Sequence, residues 1–526
     1  MNPIFKKVGS TNPGRSLFNL SYEKKFTCDP GKLIPIMCDE VVPGDVFKIG
    51  NQMILRCKPL CAPVLHQLDV YVHYFFVPYR LLWDDWENFI TGGPDGDLVP
   101  SMPEYPTTDG YNAANSLWDY LGFPVLSDPP EGDRPMDFPR RAYLNIYNEY
   151  YRDETLVPEI DITSATHINI LNRAWEKDYF TSALLEPQRG TAPALPIAGT
   201  AVTEAVFSDL DHIVALAPAS TKFSPLYGNM TAGPDTEDLS VSTDYIGGGK
   251  TLQNFKNRFA SLFDNTVTVD IGDATPIQIA DLRLAMQIQR WMERNARAGV
   301  RYIEFLGAHF GTHPRDDRLQ RPEYIGGSKC PLMFSEVVQT VKMAEPAVED
   351  QLGSLGGHGI SVNQEYIANY HAKEFGLIMG IMSVMPKPDY QQGFNRQWLR
   401  KTKFDFYFPE FAHLGEQAIT MQELYAPAGA TTADLNKVFG YAGAYDEMRT
   451  KNNMICAEMR DKYDYWHLSR QFGSEPALNQ SFIECVPRKD FLIVQDEHAF
   501  YVQFGNLITA LRPMPIIAEP GYLDHG

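Results

Sequence analysis

Apolar and polar positions alternate with a period of two in several short runs, and the strongest is Leu68–Pro78. Its sequence LDVYVHYFFVP sets Leu68, Val70, Val72, Tyr74 and Phe76 on one side, with Tyr71, His73, Phe75 and Val77 on the other. A strand that is apolar or aromatic on both faces has to be covered twice, which predicts an inner strand of a layered β fold. Val41–Phe47 predicts a strand, a Pro43-Gly44 turn and a second strand. In KFDFYF, Phe404, Phe406 and Phe408 alternate with Asp405 and Tyr407, predicting a half-buried strand. Its flanks carry Tyr390, Arg396, Trp398 and Arg400 before it and Pro409 and His413 after it, a texture that suits a long surface loop packing against something. FLIVQ (491–495) and FYVQF (500–504) add β signal near the end of the chain.

Helical spacing interrupts this pattern. Arg80–Ile90 carries Leu82, Trp83, Trp86, Phe89 and Ile90, and Arg141–Arg152 carries Leu144, Tyr147 and Tyr151, so both predict short helices in the loops of a β fold. The clearest helix spans Ile277–Arg301. Its arginines Arg283, Arg290, Arg294, Arg297 and Arg301 line one face, beside an apolar stripe of Leu284, Ile288 and Trp291. Such a cationic face needs an acidic partner: carboxylates of the same chain, a neighbouring subunit, or nucleic acid.

The balance of charge sharpens that question. The 526 residues carry a net charge of −20, so the chain as a whole is no general polyanion binder and any contact with nucleic acid must be local. The first 25 residues hold Lys6, Lys7, Arg15, Lys24 and Lys25 against Glu23, +5 − 1 = +4, a basic arm on an acidic protein. From Thr200 to Asp244 the acids Glu204, Asp209, Asp211, Asp235, Glu237, Asp238 and Asp244 face a single base, Lys222, in an Ala/Thr/Ser/Gly-rich context. This predicts an acidic, exposed insertion over 191–275, dividing the chain into 1–190, 191–275 and 276–526. Seven cysteines, an odd number, and an opening MNPIFKKVGS without an apolar core predict reduced thiols in a cytoplasm. No apolar run approaches the roughly 18 residues of a membrane span.

Candidate chemistry is sparse. Gly247-Gly248-Gly249-Lys250-Thr251 has Asp244 where a phosphate loop needs glycine, and reads as a hinge. Ser354 has Leu352 where a nucleophile elbow needs glycine. His309 and His313 lack the intervening acid of a zinc helix and sit beside Gly311 and Pro314, while Asp316 and Asp317 lie between Arg315 and Arg318 and pair locally. No enzyme, metal or cofactor reading survives.

Several long blocks, in order, carry a resemblance. DYQQGFNRQWLRKTKFDFYFPEFAHLGEQAI (389–419), VVPGD (41–45), YFFVPYRLLWDDW (74–86), YNEYYRDE (147–154), DYFTSALLEPQR (178–189), LQRPEYIGG (319–327) and RPMPIIAEPGYLDH (512–525) resemble the major capsid proteins of the microviruses, small single-stranded DNA phages, in their gokushovirus branch. The resemblance implies a mainly β chain: an eight-stranded antiparallel jelly-roll of viral capsid type, with long loops, short helices and a large insertion. It implies sixty copies, built from pentamers, in a T=1 icosahedral shell around a circular single-stranded DNA genome, assembled in the bacterial host cytoplasm. The insertion is expected to project as a protrusion at the threefold axes, with Asp209, Asp211, Asp235, Glu237 and Asp238 on it, facing a host cell-surface receptor. Expected partners are a scaffolding protein, a DNA pilot protein and a small basic DNA-packaging protein. Lys6, Lys7, Arg15, Lys24 and Lys25 are expected on the inner wall, facing DNA. The arginines from Arg283 to Arg301 are expected at a subunit interface or on DNA. The alternative is a soluble β-sandwich carbohydrate-binding or carbohydrate-active protein, because jelly-rolls host those too.

Overall fold

The computed structural model describes residues 14–93, 97–106, 113–125, 133–167, 169–190, 200–203, 267–270, 279–298, 308, 320–338 and 355–517. In chain order its strands are β1 (Ser16–Asn19), β2 (Tyr22–Cys28), β3 (Ile34–Val41), β4 (Val46–Cys57), β5 (Leu68–Pro78), β6 (Thr200–Thr203), β7 (Val267–Asp270), β8 (Glu323–Val338), β9 (Leu355–His371), β10 (Gly376–Pro386), β11 (Asp389–Tyr390), β12 (Glu416–Thr420), β13 (Val438–Gly443), β14 (Asn453–Met454) and β15 (Phe500–Arg512). Helices among the strands include α1 (Trp86–Thr91), α2 (Leu117–Leu121), α3 (Phe138–Ile146) and α4 (Ile279–Ala298).

Eight strands pair as if a long hairpin had been rolled up. β5 pairs with β8, β4 with β9, β3 with β10 and β2 with β15, all antiparallel. The roll stacks β3-β10-β5-β8 on β2-β15-β4-β9, and β8 changes layers midway: Glu323–Leu332 runs beside β5, then Met333–Val338 runs beside β9. This is an eight-stranded jelly-roll. The Pro43-Gly44 turn carries the chain from one layer to the other, and Gly44 takes φ = +94°, a conformation open to glycine without steric cost.

One core fills the space between the layers. Phe47, Ile49, Met53 and Leu55 of β4 and Phe500, Val502, Phe504 and Ile508 of β15 meet Leu68, Val70, Val72, Tyr74 and Phe76 of β5 and Ile378, Met382 and Val384 of β10. The opposite face of β5 and β10 is covered as well: Phe75, Val77, Leu377, Met379 and Ile381 pack under Leu117 of α2 and Phe138, Tyr143, Leu144 and Ile146 of α3. That double cover explains why GLIMGIMSVMP is buried at every position and why β5 is apolar on both sides. β15 and β4 alternate instead, because among the described residues only one of their faces is covered.

Two compact units arise by contact, 1–189 with 292–526, and 190–291. In the second, the short strands β6 and β7 pair antiparallel, Thr200 opposite Asp270 and Thr203 opposite Val267. In the first, residues 387–499 form a long excursion between β10 and β15, in which Tyr390, Ile419, Leu424, Phe439 and Phe482 build a small second core together with Tyr179 and Phe180 from an earlier loop.

Three expected elements take another form. KFDFYF is no strand. Lys403–Asp405 is a turn of 3-10 helix because the Asp405 carboxylate accepts the backbone N–H groups of Lys401 (2.8 Å) and Thr402 (2.7 Å), and Pro409 opens another such turn. FLIVQ is likewise no strand; Leu492 makes one isolated bridge to Leu60 while Ile493 and Val494 are exposed. The helix expected over Arg80–Ile90 is only α1, with a 3-10 turn at Tyr79–Leu81 before it. All seven cysteines are free thiols, buried at Cys28, Cys57, Cys330 and Cys485.

Ile378 faces the shared core with no exposed surface. Ile378→Ala is expected to destabilise the unassembled subunit by about 2–5 kcal/mol, read as a lower urea midpoint; an unchanged midpoint would place the stabilising core elsewhere.

Candidate nucleic-acid and subunit surfaces

The outer face of the β2-β15-β4-β9 layer is built from every second residue of its strands. β2 contributes Glu23, Lys25 and Thr27; β15 contributes Tyr501, Gln503, Leu507 and Thr509; β4 contributes Lys48, Gln52, Ile54 and Arg56. Register sets them in rows: Lys25 beside Gln503 beside Ile54, and Thr27 beside Tyr501 beside Arg56. The Lys48 ammonium lies 5.6 Å from the ring centre of Tyr366 and that of Lys58 lies 5.3 Å from Tyr501, both rings half-exposed. Such cation–aromatic contacts leave a face that is basic and aromatic. Glu23, 3.9 Å from Lys25, and Glu497, paired with Lys58, temper its charge.

Adjacent lysines part company here. Lys25 projects outward, whereas Lys24, one residue earlier, turns inward and donates to the carbonyls of Pro35 (2.8 Å) and Tyr120. A cavity of about 200 Å³ lies beside it, lined by Tyr22, Pro35, Met37 and Tyr120. Burial pushes the Lys24 ammonium down from 10.5 to about 8, against the opposing fields of Cys38 and Asp119. Arg15, exposed, precedes β1. Lys6 and Lys7 lie outside the described residues.

α4 forms as a helix over Ile279–Ala298, and the remaining positions of the expected span, 277–278 and 299–301, lie outside the described residues. Arg290, Arg294 and Arg297 are exposed along one stripe, and Arg297 pairs with Glu416, a carboxylate 1% exposed at the start of β12. Arg283 occupies the same stripe by its helical position. Arg301, Asp209, Asp211, Asp235, Glu237 and Asp238 lie outside the described residues, as do Gly247–Gly249, His309 and His313. Lys48, Arg56 and the two tyrosines were absent from the sequence-based set. The alternation of Val46–Cys57, which puts Lys48, Gln52 and Arg56 on one face, was the signal that points to them.

Among the described residues no three His, Cys, Asp or Glu side chains converge as metal ligands. A jelly-roll alone is compatible with lectins, cupins and virus shells. Comparison with known proteins decides it: residues 6–522 match the phage family described as Capsid protein (F protein), and the chain belongs to that family. It is similar to Capsid protein VP1 of Chlamydia phage 1, 32% identical over 99% of this chain and 98% of that protein. It is also similar to VP1 of Bdellovibrio phage phiMH2K (31%; 98% and 97%) and of Spiroplasma virus 4 (28%; 96% and 95%). The expected microvirus-type major capsid protein is therefore met: a structural protein of the virion, not an enzyme, that builds a shell with copies of itself.

Between about pH 8 and 10.5 the folded protein, with Lys24 depressed, binds fewer protons there than the unfolded chain, so this group makes stability rise with pH across that window. Urea midpoints of unassembled subunits are expected to climb less steeply over that range in Lys24→Met than in wild type. Parallel profiles would show that Lys24 is charged in the fold at no cost.

Proposed function

We propose that sixty copies close a T=1 icosahedral shell, through pentamers, around a circular single-stranded DNA genome. Full-length similarity to phage capsid proteins is the observation that carries this reading. Sixty chains at −20 sum to −1200, the same sign as the genome, so the enclosed DNA needs cations brought from outside the chain's average composition. A small basic DNA-packaging protein supplies part of them. The basic arm, Lys6, Lys7 and Arg15, and the open layer face with Lys25, Lys48 and Arg56 supply the rest from the inner wall. Tyr366 and Tyr501 on that face offer rings on which bases stack without sequence preference. The ammonium of Lys24 is held by two carbonyls and serves the fold instead.

The acidic 191–275 segment projects outward in this reading, with Asp209, Asp211, Asp235, Glu237 and Asp238 toward a host cell-surface receptor. A scaffolding protein guides assembly and a DNA pilot protein accompanies the genome.

Electron microscopy of purified, genome-filled particles is expected to show closed sixty-subunit shells with this layer facing the DNA. A chain that remains monomeric at all concentrations would overturn the shell, and Lys48 and Arg56 on the outer surface would overturn the orientation. In solution, replacing Lys25, Lys48 and Arg56 together by Ala is expected to reduce the slope of log affinity against log salt by about 2 for an oligothymidylate, at about 0.7 per lost contact. An unchanged slope would remove these residues from the DNA contact.

A further inference from the structure

The aromatic block around KFDFYF is neither strand nor core. Phe394, Trp398, Phe404, Phe406, Tyr407 and Phe408 are all exposed, Trp398 by 76% and Phe404 by 65%. Exposure of single apolar residues is ordinary; six aromatic side chains within fifteen residues is not.

The loop that presents them is held firmly from beneath. Arg396 donates to Glu423 (2.8 Å) and to the carbonyl of Ala418 (2.7 Å), and Arg400 donates to Glu447 (3.0 Å), both carboxylates being buried. Gly393 presses on the Glu423 backbone so closely that a Cβ would lie 2.0 Å from its carbonyl oxygen. Above, the rings brace one another: Phe404 and Phe408 each contact Phe411, Tyr407 stands edge-on to Tyr445, and the Arg400 guanidinium lies 5.4 Å from the ring centre of Phe406. The ordering entropy of a binding loop is thus met within the subunit, leaving an apolar surface ready for a partner.

We infer that this loop, Phe394–Phe408, is a contact by which one subunit grips a second copy of the chain. The inference rests on the shell reading, which surrounds every subunit with identical neighbours. Area supports it. Six rings exposing on the order of 100 Å² each present roughly 600 Å², close to the about 800 Å² one partner contributes to a stable interface. Composition supports it too, since aromatic side chains and arginine are the residues enriched at the centres of protein interfaces. Nucleic acid is the weaker occupant: Arg396 and Arg400 are committed to Glu423 and Glu447, and among the described cations of the loop Lys401 and Lys403 remain.

The test compares wild-type full-length chain with Trp398→Ser/Phe404→Ser. Both substituted side chains are exposed in the subunit, so the variant is expected to keep its circular dichroism and melting temperature while losing particles in sedimentation and electron microscopy. Hydroxyl-radical labelling of the wild type reads the same contact without mutation: Trp398 oxidation is expected in free subunits and lost in particles. Particles at wild-type yield from the folded variant, or equal oxidation of Trp398 in both states, would overturn the loop contact while leaving the shell standing. Wild type that never assembles would overturn both. Protection that appears only after a second phage protein is added would assign the loop to that protein and overturn this inference.

Discussion

The placement of the last long strand is the constraint on which the remainder rests. β15 lies between β4 on one side and β2 and β1 on the other, and its inward residues Phe500, Val502, Phe504 and Ile508 complete the core shared by the two layers. Without it β4 has no neighbour on that side, β2 has none at all, and the inner faces of β5 and β10 lose part of their cover. The nested pairings of the roll follow from this closure.

Covering sets the character of each layer. The layer of β5 and β10 is buried twice, once by the opposite layer and once by α2 and α3, and is therefore apolar at most positions, with the buried Asp69 paired to Lys329. The other layer is buried once and alternates, which leaves its outer face free to carry Lys25, Lys48, Arg56 and two half-exposed tyrosines. The excursion after β10 works differently again. It shares a small second core with Tyr179 and Phe180, and its buried Glu423 and Glu447 hold arginines whose neighbouring rings stay outside. Ion pairs of this kind contribute modestly to stability but fix geometry when one partner is buried.

Much of this was legible in the residues. Two-sided apolarity over Leu68–Pro78 identified a strand covered on both faces, and Pro43-Gly44 identified the turn beside it. Pairings such as Tyr22 with Asn506 were not legible, since nothing local ties residues so far apart; only the resemblance between long blocks implied the roll. KFDFYF misled because alternation is a sign of strand only if something lies on the apolar side, and a carboxylate at 405 that binds its own backbone outcompetes the ladder. Lys24 and Lys25 counted equally as charge, yet a period of two sends them to opposite sides of one strand, one into carbonyl oxygens and the other into solvent. Lys48 and Arg56 went unread because the strand expected over Val41–Phe47 stopped short of both.

Because β15 spans Phe500–Arg512 and is the strand that closes the roll, a ribosome must read past residue 512 before the barrel has its final stave. Prematurely terminated products therefore carry an open, incomplete barrel with apolar inner faces, recognisable to chaperones and proteases.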